Sequence, residues 1–385
     1  MPLPTPPLFP SGRSRRISFS TGLLFLGVVL SSCRSAGADT PAQPAAARAP
    51  FIIGADLSAV QASEDRGMHY SDHGVQQDIL AIMKAHGFNY VRLRVFVEPA
   101  NPGGYSRQGY CDLPHTLTMA KRVKSAGLGL LIDFHYSDTW ADPGKQTKPL
   151  AWRALTLPEL VQKVHDYTKD AVAQLKAAGA TPDMVQIGNE ITPGMLLNRL
   201  PAGGRGGGAA QTVSTQPEGS TKEWDNLAAL LKAGIAGTRE VDPKILVMLH
   251  IDKGGNNAVS RTWIDNALKR GVSFDILGES CYSVAKWQGP ASGWKANFTD
   301  LAQRYPQLSF VIAEYGYSDA TSDYPRDIRE ANDVMLTLPG KKGLGTFIWE
   351  PTQNTNHQSM FDGQTGAALP VLSTYDEVSK QAATW

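Results

Sequence analysis

The amino-acid sequence predicts an α/β protein, a (β/α)8 TIM barrel, and three observations carry that prediction. From Phe51 onward, helix-like segments alternate with short apolar runs. The runs are nearly continuous in apolar residues, and eight of them fall within about 335 residues. Continuous apolar strands between helices belong to a parallel sheet covered on both faces, and eight such units suit a closed barrel. A doubly wound open sheet is the alternative, yet no Gly-x-Gly-x-x-Gly follows the first run.

Taken in order, strands are expected over 51–58, 88–96, 128–136, 184–190, 245–252, 274–282, 308–316 and 344–350. Each is rich in β-branched or aromatic residues and bounded by turn formers. Helices are expected over 78–86, 115–126, 157–178 and 224–241, where apolar residues recur at helical spacing. Many end in Gly, which takes up the left-handed C-terminal position without steric cost.

The first 32 residues have the three parts of an export signal. Arg13, Arg15 and Arg16 precede the apolar run TGLLFLGVVL, which leads into Leu30-Ser31-Ser32-Cys33. That box marks Cys33 for lipidation. The alternatives are an ordinary secretory signal or an uncleaved anchor, but the run is short of the roughly 20 residues a membrane span needs. Residues 33–50, rich in Ala and Pro, read as a tether that cannot build a core, leaving 51–385 as the folded body. The expected address is the bacterial cell envelope, periplasmic or at the cell surface, with a monomeric body and membrane contact only through the lipid.

Removing 1–32 takes away three arginines and no acid, so 37 basic residues against 36 acidic become 34 against 36. A balance near zero gives no field for nucleic acid. With Cys33 assigned to the leader, Cys111 and Cys281 remain; in an oxidising compartment they are either a bridge or two buried thiols.

In a parallel barrel the chemistry gathers at the C-terminal ends of the strands. Arg94, His135, Asn189, Glu190, His250, Tyr282, Glu314 and Trp349 all fall at or near such ends. Glycosidic bond cleavage needs one carboxylic acid to protonate the leaving oxygen and a second carboxylate to attack or to activate water. Glu190 in MVQIGNE and Glu314 in LSFVIAEYGY, on the fourth and seventh strands, meet that need. Either alone is as readily a solvated loop acid or an ion-pair partner; two acids behind apolar runs are harder to dismiss.

Asn189 is placed to hold a sugar hydroxyl, its other reading being a turn residue. Arg94, inside a strand, needs a carboxylate partner, and Glu314 is the expected one, kept ionised by the pair; the alternative is a structural pair elsewhere in the barrel. Segment 133–152 is dense in His, Tyr, Asp and Trp, which suits sugar hydroxyls and pyranose faces. His135 and Asp138 belong to it, as does Trp140. A metal reading of His135 with Asp133 and Asp138 lacks a further His cluster, and no metal ligand is assigned. Trp140, Trp287 and Trp349 are candidate stacking platforms, whereas Trp224 and Trp263 lie on helical segments and read as core. Stretch 202–210 is Gly-rich without the Lys-Ser or Lys-Thr of a phosphate loop and reads as a mobile flank of the cleft.

The stretches NYVRLRV, DFHYSDTWADPGKQ, IGNEI and AEYGY resemble the signature blocks of glycoside hydrolase family 53, the arabinogalactan endo-β-1,4-galactanases, from GADLS at 54–58 to IWEP at 348–351. The second is long and specific; the third and fourth alone mark only the wider clan of retaining barrel glycosidases. The resemblance implies retaining endo cleavage of β-1,4-galactan side chains of pectin, with Glu190 as acid/base and Glu314 as nucleophile. No cofactor is expected; calcium in the last loop stays open, with Asp362 read as a surface acid before a ligand.

Three stretches depart from the family pattern. Leu197 stands where a Trp is usual after the Asn-Glu block, SCYSVAKWQG replaces Ser-Tyr-Tyr-Pro and Trp-His-Gly, and WEPTQNTNHQ lacks the second Trp. All are expected in substrate-binding loops. The rival readings are therefore another endo-β-glycanase of the clan and a glycan-binding lipoprotein without turnover.

Overall fold

Each of the eight apolar runs forms one stave of a closed parallel barrel. The staves are β1 (Ile52–Asp56), β2 (Tyr90–Val95), β3 (Gly129–Phe134), β4 (Met184–Ile187), β5 (Leu246–Ile251), β6 (Ile276–Tyr282), β7 (Ser309–Gly316) and β8 (Gly343–Ile348). Around the barrel they run β1-β8-β7-β6-β5-β4-β3-β2 before closing on β1. The computed structural model describes residues 50–198, 218–282, 289–316, 323–353 and 359–385. Cys33, Trp287 and the 202–210 stretch lie outside them. Among the described residues no helix is long and apolar enough to cross a membrane.

The outer layer holds α1 (Val60–Asp65), α2 (Ile79–Ala85), α3 (Leu113–Ser125), α4 (Leu157–Ala177), α5 (Trp224–Val241), α6 (Asn257–Lys269), α7 (Ala291–Arg304), α8 (Tyr324–Leu336) and α9 (Thr374–Ala382). Local chemistry sets their starts. Asp112 accepts from His115 N, so α3 begins two residues before the expected 115, and Thr156 with Glu159 forms a capping box on α4. As expected, Trp224 and Trp263 pack edge to face, at 5.4 Å between α5 and α6.

Two apolar layers hold the barrel. Between strands and helices runs one continuous core that includes Ile53, Leu93, Ile132, Val185, Leu249, Leu277, Ile312 and Ile348. Inside the barrel a smaller plug consists of Ile52, Leu131, Met184, Met248, Ile276, Val311, Ala313 and Phe347. Small residues admit large ones in this plug. A Cβ on Gly54 would lie 2.3 Å from the Phe347 ring, and one on Gly129 2.3 Å from Tyr90. Overpacking of that kind costs about 1–3 kcal/mol.

The plug also records a break in the strand period. Glu279 pairs with Ile312, yet Ser280 pairs with Glu314, so β7 carries one residue, Ala313, beyond its partner. Ile312 faces the helices while Ala313 and Glu314 both turn inward, as a bulge allows.

Cys111 and Cys281 are free and buried, which settles their pairing. Burial pushes both thiols up, Cys111 to about 11.

Candidate active site

Above the plug, the inward positions of the strands turn from apolar to charged. Asp56 of β1, Arg92 and Arg94 of β2, Asp133 of β3 and Gln186 of β4 are all 1% exposed or less. Arg92 is the hub. Its guanidinium meets Glu314 Oε1 at 2.8 Å, Asp133 Oδ2 at 2.8 Å, Asp56 Oδ2 at 3.2 Å, Asn189 Oδ1 at 2.8 Å and Gln186 Oε1 at 3.1 Å. Burial would push Asp133 up, but Arg92 and His135 hold it below the usual carboxylate range.

The expectation that Arg94 pairs with Glu314 is therefore corrected: Arg92 does. Arg94 reaches Glu350 Oε1 at 2.5 Å and Asp56 Oδ1 at 3.4 Å and lies 4.3 Å from the Trp140 ring. Side chains two apart on a strand share a face, so Arg92 was available from the Arg-x-Arg spacing; Asp56 ends the first run in the same way. Glu350, after β8, has no comparable signal, because its backbone takes a left-handed conformation (φ 42°) outside the strand.

A cleft of about 480 Å3 opens over this layer. Glu190, Glu314, Asn189, Arg94, His135, Trp140, Tyr282 and Trp349 line it, together with Asp56, Arg92, Ala141, Asp142, Lys145 and Glu350. Trp140 and Trp349 are partly exposed and their rings are 6.2 Å apart, so apolar faces and charged groups share one space. A second groove of about 480 Å3, between α7 and α8, contains Lys295 and Asp333, paired at 3.3 Å, with Arg329 and Glu330 beside them and no aromatic side chain among its described lining residues.

Two residues expected to bind sugar, Asp138 and His250, lie outside the cleft lining. Asp138 accepts from Glu98 N at 3.1 Å, Leu150 N at 2.8 Å and Asn101 Nδ2 at 3.1 Å, tying loops together outside the cleft lining. His250 is fully buried beneath the cleft, bonded to Ser280 and Asn189. Leu197 is buried, its N–H donating to Gln146 O, so that departure lies outside the cleft lining as well. His135 accepts the Ala141 N–H at Nδ1 (3.1 Å) and so donates from Nε2 to Asp133 at 3.0 Å; both ring nitrogens are engaged. Among the described residues no group of three or more His, Cys, Asp or Glu is arranged to hold a metal ion. Asp362 closes a turn by accepting from Gln364 N and Thr365 N, the surface-acid role.

The two glutamates sit differently. Glu314 receives Arg92 and, at Oε2, the Tyr282 hydroxyl at 3.1 Å. Burial raises it to about 7 even with Arg92 drawing it down. Glu190 lies just past β4 with a left-handed backbone (φ 47°), uncommon for a residue other than glycine. Gln146 holds it there, its Nε2 donating to the carbonyls of Asn189 at 2.6 Å and Glu190 at 3.3 Å. Burial and then the charge of Glu314 raise Glu190 well above the ordinary value, offset in part by Ser280 at 2.6 Å. One acid is built to keep a proton and the other to lose it first.

Comparison with known proteins places the chain in a family. The family model described as Glycosyl hydrolase family 53 matches residues 52–383. An arabinogalactan endo-β-1,4-galactanase of Thermothelomyces thermophilus is 32% identical, over 84% of this chain and 98% of that one. An endo-β-1,4-galactanase of Bacillus subtilis is 31% identical, over 78% and 70%. The solved Ignisphaera aggregans GH53 catalytic domain superposes with a TM-score of 0.73 at 32% identity, covering 85% of this chain and 95% of that one. A solved fungal β-1,4-galactanase gives 0.73 at 31% identity, with 85% and 99% coverage.

Proposed function

Because the chain belongs to glycosyl hydrolase family 53 and is a glycoside hydrolase, we propose that it is a retaining endo-β-1,4-galactanase acting on galactan and arabinogalactan side chains of pectin. The observation that carries the mechanism is the unequal pair of acids in one cleft, Glu314 under a cation and Glu190 with no ion pair to a cation among the described residues. The galactan specificity is supported by the activities named for the relatives.

Glu314, ionised against Arg92, attacks the anomeric carbon. As the glycosidic C–O bond breaks, Glu190 gives its proton to the leaving oxygen, and a glycosyl ester on Glu314 remains. Glu190, now a carboxylate, takes a proton from water. The resulting hydroxide displaces Glu314 and frees the sugar with its configuration retained. Trp140 and Trp349 offer ring faces for pyranose stacking, and Asn189 an amide for a sugar hydroxyl. The leader and Cys33 box support export and a lipid anchor, which radiolabelled palmitate incorporation, lost in Cys33→Ser, tests.

The test of function is reducing-sugar release from linear β-1,4-galactan, with β-mannan and xylan alongside, followed by NMR of the first anomer formed. Galactan cleavage with retention is expected. Cleavage of mannan or xylan alone would overturn the substrate, and an inverted product would overturn the mechanism.

A further inference from the structure

Beneath Glu190 lies a pair of side chains that the catalytic cycle above leaves unused. Ser280 Oγ on β6 is 2.6 Å from Glu190 Oε1 and 2.9 Å from His250 Nε2 on β5, and neither Ser280 nor His250 reaches solvent. His250 Nδ1 accepts from the Glu190 main-chain N–H at 3.4 Å; it also lies 3.1 Å from Gln186 Nε2, whose two hydrogens face Asp133 Oδ1 at 2.6 Å, Asn189 Oδ1 at 3.0 Å and Gly188 O at 3.1 Å as well, and 3.0 Å from one acceptor, Asn189 Oδ1. That acceptor already receives Arg92 and Gln186, and the Gln186 amide is oriented by Arg92 Nε, which donates to its Oε1 at 3.1 Å. Burial and then the charge of Arg92 keep the imidazole neutral.

A neutral imidazole has one ring proton. With Nδ1 accepting, that proton stands on Nε2 and points to Ser280 Oγ. The serine hydroxyl has a single hydrogen, which then goes to Glu190 Oε1. We propose that His250 and Ser280 form a one-way hydrogen-bond chain that occupies Glu190 Oε1 as an acceptor and confines the catalytic proton to Oε2. The proposal rests on the acid/base role assigned to Glu190 above, and it makes His250 and Ser280 positioning residues. The other ionisable groups that bear on the Glu190 carboxyl are Glu314 of β7, Asp252 after β5, Asp142 of the β3 loop and Tyr282 of β6. None of them takes the place of the serine hydroxyl.

The test begins with long-range 1H–15N NMR of the His250 ring in the full chain, with a 13C titration of the Glu190 carboxyl assigned by Glu190→Gln. The ring is expected to carry its proton on Nε2. Ser280→Ala is expected to move the Glu190 titration up by about half to one pH unit, since the anion loses a donor. On the cleaved polysaccharide, the basic limb of kcat/KM rises with it, kcat falls about tenfold and KM stays within about twofold. An aryl glycoside with an acidic leaving group needs no proton and loses less than about threefold. His250→Gln retains an N–H near the Nε2 position and keeps most of the activity. A proton on Nδ1, an unmoved Glu190 titration in Ser280→Ala, or equal losses on both substrates would overturn the chain. Failure to cut galactan would instead overturn the substrate reading, and the NMR result would be unaffected by it.

Discussion

Glu314 on β7 and Glu279 on the neighbouring β6 are both buried, at 6% and 0% exposure, and both are raised by burial, yet their surroundings differ. Glu314 faces into the barrel mouth, under Arg92 and beside the Tyr282 hydroxyl. Glu279 faces out, between β6 and the helices, where Asn297 Nδ2 donates to its Oε2 at 2.7 Å and Oε1 is buried without a hydrogen-bond partner among the described residues. Among the described residues it has no cationic partner. Burial pushes Glu279 to about 8, so at neutral pH it is mostly a neutral acid within the wall. Burial raises both carboxyls; a cation on one side and an open cleft on the other are what Glu314 has and Glu279 lacks.

The comparison breaks most visibly at the inner pair. Glu190→Ala and Glu314→Ala should each lower kcat/KM on galactan about 10³-fold or more, with melting temperatures near wild type. Azide should rescue turnover with a change of product configuration that differs between the two variants. Arg92→Leu should come next, with a stability loss of about 3–5 kcal/mol in denaturant titration, because three carboxylates lose their shared cation. In the folded fraction the acid limb of kcat/KM should move to higher pH. Arg92 lowers the Glu314 value, so without it the nucleophile stays protonated further up the scale; an unmoved limb would remove Arg92 from the mechanism.

The outer carboxyl sharpens the contrast. Its folded value, about 8, lies above that of an unfolded glutamate, so the stability it supplies is present at low pH and lost as pH rises through 8. Glu279→Gln should therefore stabilise the protein by on the order of 4 kcal/mol at pH 8 and by almost nothing at pH 4, with turnover unchanged. A loss of activity would mean that the two faces of β6 communicate. The smallest effect belongs to Gln146→Ala, about 1 kcal/mol of stability and a several-fold drop in kcat, as the left-handed Glu190 backbone loses its clamp.

The strands, their closure and the two cleft glutamates were legible because continuous apolar runs and strand-end acids leave marks in the sequence itself. Strand ends were read too far along the chain: β4 stops at Ile187, where Gly188 (φ 82°) turns the chain before Asn189 and Glu190. Partnership was less visible. Arg92 and Arg94 share a face by alternation, and which of them meets Glu314 and which Glu350 leaves no mark in the sequence. Regular alternation from Val311 would have sent Glu314 outward; the extra residue Ala313 reverses it, and no turn signal announces that residue. His250 looked like a sugar ligand because it ends a strand, yet the loop residues above it cover it. Long-range hydrogen bonds, such as Gln146 to Glu190, have no periodic signature at all.

The loop after β3 carries Trp140, Asp142 and Lys145 along the cleft and, one residue further on, Gln146 against the backbone of Glu190. Ala141 in the same loop receives the Asn189 amide through its carbonyl. The stretch that feels the sugar is thus also a mounting for the acid. Recombination that imports this loop whole from a relative with another preference would bring new contacts and a new mounting together, and a mismatch in the second would mask any gain in the first. Exchangeable specificity in this barrel has to come from segments that do not grip β4, or from single residues on the cleft side of this one.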